Sequence, residues 1–170
     1  MLISYQDHQA FAAELLYKPN ALEIEVRRAI SACYYGLFHR LATQGAAVFG
    51  LGGTELRHQA ARAYSHSTMR KVCEQYVRSA KQKFPAPLDR LVPTTSDSRL
   101  ITVADAFVQL QDARHAADYD TNTDFDRRSG LEMLQLAESS HRQLDQIQHL
   151  PETHVFLAAL LLADRWTRRG

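Results

Sequence analysis

The sequence predicts an all-α protein, an antiparallel bundle of four to five core helices with a further C-terminal helix. Three observations point to it: apolar residues recur at helical spacing almost without pause, strand signals are scarce, and helix-starting and helix-stopping residues punctuate the chain at intervals of one helix.

Ser4-Tyr5-Gln6-Asp7 has the form of a capping box, so a first helix is expected to about Tyr17, where Lys18-Pro19-Asn20 stops it. A second helix is expected from about Ala21 to Gln44. Val26, Ile30, Cys33, Leu37 and Leu41 form its apolar face, while Arg28, Ala32, Tyr35 and His39 form a second stripe at the same spacing. A cation, a phenol and an imidazole are not what packing alone asks for. Gly45 to Gly53 is glycine-rich and is expected to break regular structure. A third helical region runs from Thr54 to Phe84, with an interruption expected at Ser65 to Ser67. Pro85 to Ser98 carries three prolines and a Ser/Thr cluster and is expected as a loop. A fourth helix follows over Arg99 to Tyr119. Thr123-Asp124-Phe125-Asp126 reads as a capping box for a fifth helix to about Leu150, and Pro151 suits the first turn of a sixth. No repeat or linker divides the chain, so residues 1–170 are read as a single domain.

Composition narrows the function. With 45% apolar and 23% charged residues the chain is ordinary for a folded globular protein. A formal net charge of +1 excludes a generally cationic nucleic-acid protein and leaves room for a local basic patch. Cys33 and Cys73 lie far apart in helical segments and read as buried thiols; neither a disulfide framework nor a zinc site is expected, and no cofactor. The polar Ser4–His8 stretch does not resemble a signal peptide, and the apolar run from Val155 to Ala163 is too short to span a bilayer, so a cytoplasmic location and no membrane partner are expected.

Two constellations carry chemistry. Thr54 to Lys83 holds seven Lys/Arg against Glu55 and Glu74, with His58, Arg62, His66, Arg70 and Arg78 stepping by four or eight residues along one helical face. Such a stripe suits the phosphates of a single strand; it also suits a solvated face paired with acids. The second is Arg114-His115-Ala116-Ala117-Asp118-Tyr119-Asp120. There Arg114 can clamp a phosphate, His115 can act as acid or base, and Tyr119 can donate to a developing oxyanion. An internal Arg114–Asp118 pair is the alternative. Residues five apart on a straight helix point about 140° apart, so Arg114 and Tyr119 are expected to share a site only where the helix ends between them or a second copy supplies one. Gly50–Gly53 follows no strand and reads as a linker rather than a phosphate loop. His141, between Leu134, Ala137 and Leu144, reads as a semi-buried core histidine.

Arg28-Ala29-Ile30-Ser31-Ala32-Cys33-Tyr34-Tyr35-Gly36-Leu37-Phe38-His39 resembles the R-x-x-x-x-x-Y-Y-x-x-F-H signature of HEPN domains (higher-eukaryote and prokaryote nucleotide-binding), and Arg114-His115-Ala116-Ala117-Asp118-Tyr119 resembles the R-x-x-A-D-Y element of the same branch. The resemblance implies a helical bundle that dimerises around a cleft. It further implies an RNA-binding protein, in many relatives a metal-independent endoribonuclease of toxin–antitoxin or defence systems, in others a non-catalytic partner of a nucleotidyltransferase. Arg114 occupies the place of the nuclease-motif arginine and His115 the polar position after it, but Tyr119 stands where the motif histidine is expected. The candidate catalytic set is therefore Arg114, His115, Tyr119 and, from the third helical region, His66. The candidate RNA contacts are Arg28, His39, Arg62, Arg70 and Arg78.

Overall fold

The computed structural model describes residues 4–50, 53–93 and 96–166. Among them are eight helices and no strand, so the all-α expectation holds: α1 (Tyr5–Leu16), α2 (Glu23–Val48), α3 (Thr54–Arg62), α4 (His66–Arg78), α5 (Leu88–Leu91), α6 (Ser98–Tyr119), α7 (Arg127–Ile147) and α8 (Pro151–Trp166). None is long and apolar enough to cross a membrane. The helices form two compact units, Met1–Arg40 with Ala106–Arg142 and Leu41–Asp105 with Gln143–Gly170; α2, α6 and α7 contribute residues to both.

In the first unit, α1 opens with the predicted capping box: the Ser4 side chain accepts from the Asp7 backbone while Asp7 Oδ2 accepts from Ser4 N at 2.8 Å. The apolar face of α2 is buried as its spacing predicts, Val26, Ile30, Cys33 and Leu37 each exposing 2% or less. Tyr34 joins them and meets Phe107 of α6 with ring centroids 5.5 Å apart. Two glycines let helices approach closely. A Cβ on Gly36 would lie 3.3 Å from the Cβ of His8, and one on Gly130 would run into the buried Leu16 and lie 3.0 Å from Val26. Arg27 and Arg127 tie the segments together. Arg27 donates to the carbonyl of Ala117 in the last turn of α6 and to those of Asp120 and Thr123 in the turn that follows, and Arg127 donates to the Leu16 carbonyl at 2.6 Å. Each satisfies carbonyls that a helix end leaves without an internal partner. His141 is buried, as predicted; its carbonyl accepts from Arg40 at 2.8 Å.

The second unit is organised by α4 and α8. Met69, Val72, Cys73 and Tyr76 recur at three and four residues and are fully buried, and Tyr76 meets Phe156 edge-on at 4.7 Å. Ser65 caps α4 by accepting from Thr68 N, and the Thr68 hydroxyl donates to Asp164 at 2.5 Å. The interruption expected at Ser65–Ser67 falls one or two residues earlier, between Arg62 and His66, and divides the third helical region into α3 and α4.

Four boundaries differ from expectation, each for a physical reason. α4 ends at Arg78, where the Ser79 hydroxyl donates to the Tyr76 carbonyl at 2.6 Å, and not at Phe84. α2 does not stop at Gln44 but runs through Gly45 to Val48, because Gly45 makes room for Tyr64: a Cβ there would collide with the phenol, whose hydroxyl donates to Leu157 O at 3.1 Å. α7 is opened by Asp126, which accepts from Ser129 N at 2.8 Å, and not by Thr123, whose hydroxyl instead closes a turn onto Asp120 at 2.6 Å. The Pro85–Ser98 loop contains α5, anchored by the buried Leu88. Gly50 and Gly53 take positive φ, 61° and 82°, on either side of Leu51 and Gly52. Those two residues lie outside the described ones, as do Thr94 and Thr95.

Candidate functional site

The two segments singled out in the sequence meet in the first unit. Tyr35 and Ser31 are one turn apart on α2, and Arg114 and Asp118 one turn apart on α6. The Arg114 guanidinium donates to the Tyr35 hydroxyl at 2.9 Å and lies 2.7 Å from Asp118. Ser31 donates to the other oxygen of Asp118 at 2.6 Å. The result is a continuous Ser31–Asp118–Arg114–Tyr35 chain of polar groups joining two helices. Both Arg114 and Asp118 keep about a quarter of their side-chain surface exposed, 23% and 25%, so the pair borders solvent.

Tyr119 and His115 extend this cluster. α6 does not end between Arg114 and Tyr119, as the angular argument required for a shared site; it continues through Tyr119. The Arg114 side chain is long enough to bring its guanidinium over the Tyr119 ring anyway, 5.6 Å from the centroid, and over the Tyr35 ring at 5.5 Å. Both His115 and Tyr119 are exposed, with ring centroids 5.1 Å apart. The internal Arg114–Asp118 pair therefore exists, and it holds the guanidinium beside two phenols, one of which, Tyr119, lies against the His115 ring.

A histidine pair flanks the same stretch of α2. His39 stacks on His8 of α1 with centroids 5.3 Å apart and rings nearly parallel at 7°, and Tyr35 lies within ring distance of both. Burial lowers the pKa of both histidines below the usual imidazole value, and for His8 the neighbouring His39 adds to the shift. His8 Nε2 is buried without a hydrogen-bond partner among the described residues. Arg28, one turn before Ser31 and Ala32, is exposed and lines an open pocket of about 340 Å³ with Phe11 and His8.

The remaining predicted contacts belong to the second unit. Arg62 closes α3 and His66 opens α4, so the four-residue steps of the basic stripe cross a helix break at this point. Beyond it, Arg70 and Arg78 both pair with Glu74 on their own helix, at 2.8 and 3.3 Å. The stripe is thus two short basic segments with an acid between two of its cations.

No group of three or more His, Cys, Asp or Glu side chains suited to a metal is present among the described residues. Cys33 and Cys73 are buried free thiols, and burial pushes Cys33 up to about 12. Sequence reasoning missed the parts played by Ser31, His8 and Arg27. Ser31 was readable as part of the Arg28–Ser31–Ala32–Tyr35 face, whereas His8 carries no local signal and joins the site only through the packing of α1. No protein-family model, curated protein or solved structure matches the chain.

Proposed function

We propose that this chain is a HEPN-type RNA-binding protein, acting as a homodimer and centred on the α2–α6 cluster. One observation carries the reading. The two segments that resemble HEPN motifs lie 79 residues apart in sequence between Tyr35 and Arg114, yet they are joined by the Arg114–Tyr35 and Ser31–Asp118 hydrogen bonds. Arg114, Tyr119 and His115 supply a cation, a phenol and an imidazole at one solvent-bordering place, the set that holds a phosphodiester and moves its protons.

In the cleaving form of this function, that of a toxin or defence effector, a base removes the ribose 2′-hydroxyl proton. The oxygen attacks the adjacent phosphorus, and the 5′-oxygen leaves with a proton, giving a 2′,3′-cyclic phosphate. Arg114 opposes the added negative charge, and His115 and Tyr119 shuttle the protons. Labelled single-stranded RNA incubated in EDTA tests this directly: cleavage by the wild type and its loss in Arg114→Ala are expected. Cleavage that survives Arg114→Ala unchanged assigns the activity elsewhere.

A second reading is favoured by the pairing of Arg114 with Asp118 and by Tyr119 in the motif-histidine position. In it the chain binds without cleaving, as the partner of a nucleotidyltransferase. Salt-sensitive RNA binding with intact RNA after prolonged incubation, together with co-purification of such an enzyme, is its signature.

A further inference from the structure

The α1–α2 pocket shares Ser31 and Tyr35 with the α2–α6 cluster, and its other lining residues take no part in the chemistry above. α2 presents Arg28, Ser31, Ala32 and Tyr35, which are i, i+3, i+4 and i+7 and so share one face; α1 presents Asp7, His8 and Phe11 opposite them. Gly36 permits this approach, since α1 passes within 3.3 Å of where its Cβ would be. The pocket measures about 340 Å³, inside the roughly 300–1,000 Å³ range of small-ligand sites. Phe11 leaves 48% of its surface in solvent, so its ring is accessible at the pocket.

We propose that this pocket binds one nucleotide, its base stacked on Phe11 and its phosphate held by Arg28. The proposal rests on the RNA-binding reading and gives it a base subsite separate from Arg114. The residue types divide the ligand between them. An exposed phenyl ring offers a stacking face to any base. Arg28 is an exposed guanidinium at the same pocket, suited to a phosphate. Asp7 is a carboxylate fixed by Ser4 through its Oδ2, which disfavours a phosphate at its end of the pocket and suits the exocyclic amine of a base. Ser31 lines the pocket and donates its hydroxyl proton to Asp118, so it links the pocket by hydrogen bond to the Arg114 cluster.

The test uses the full chain and two probes, 5′-AMP and single-stranded RNA. Titration of isotope-labelled protein with 5′-AMP is expected to give saturable shifts at Phe11, Arg28 and Ala32. Phe11→Ala is expected to weaken AMP binding about tenfold, the loss of one base stack, and Phe11→Trp to restore it. Arg28→Gln is expected to weaken it by a similar factor. Both substituted positions are exposed, and thermal melts confirm that the variants fold. Absence of saturable AMP binding, or binding unchanged in Phe11→Ala and Arg28→Gln, overturns the pocket. RNA binding by these two variants at wild-type affinity also overturns the pocket while leaving the RNA-binding reading in place. Failure of the wild type to bind RNA overturns that reading, and the AMP titration then decides the pocket alone.

Discussion

Tyr34 and Tyr35 are neighbours in sequence with opposite fates. Tyr34 is 1% exposed in the core against Phe107, whereas Tyr35 turns its hydroxyl to the Arg114 guanidinium. The 100° step between adjacent helical residues separates them, so one side chain serves packing and the next serves the site. Tyr35→Phe removes the acceptor for Arg114 and keeps the ring. A loss of about 1–2 kcal/mol in urea unfolding is expected, the worth of one hydrogen bond to a charged group. The stacked His8–His39 pair makes a second prediction at this scale. Burial lowers both pKa values in the folded state, so the unfolded chain, with imidazoles near 6.5, binds more protons over the window just below that value. Stability from this pair is therefore fully present above about pH 6.5 and declines as the pH falls towards the folded-state values. Asp7 beside His8 favours the imidazolium and moderates the effect. Melting temperatures measured from pH 7.5 to 5 are expected to drop, and His8→Gln to flatten part of that slope. An identical slope in the variant assigns the pH dependence to other groups.

At the scale of elements, the helices whose apolar residues recur every three or four positions were legible in the sequence. α2 and α4 bury the faces their spacing predicts, and the Ser4 capping box starts α1 where expected. What was not legible depends on partners distant in sequence. Gly45 reads locally as a breaker but sits inside α2 because Tyr64 packs where a side chain would be. Thr123 and Asp126 both have cap chemistry, and the turn closed onto Asp120 decides between them. Gly45→Ala therefore sets a helix-propensity gain of about 1 kcal/mol against displacement of a buried, hydrogen-bonded tyrosine. The collision dominates, and a net destabilisation of about 1–2 kcal/mol is expected in chemical denaturation. Gly130→Ala, which meets the buried Leu16, is expected to fall in the same range. A neutral or stabilising result at Gly45 would show that Tyr64 can move aside.

At the scale of the whole molecule, the sequence distinguished the two segments that build the site but not how they are joined. The Arg114–Asp118 pair was foreseeable from its spacing. The bonds from Arg114 to Tyr35 and from Ser31 to Asp118 follow from tertiary packing of α2 on α6 and have no local signature. The basic stripe crosses the interruption that the sequence signals: its four-residue steps are divided between α3 and α4, with the break between Arg62 and His66. The functional account accordingly places its weight on Arg114 and its neighbours. The measurement that bears on it most directly is the binding of single-stranded RNA in EDTA at several salt concentrations, by wild type and by Arg114→Ala, with melts confirming both are folded. The account predicts wild-type affinity that falls as salt rises, and at least a tenfold loss in Arg114→Ala, the scale of a charge-assisted phosphate contact. No RNA binding by the wild type, or equal binding by the folded variant, would contradict it.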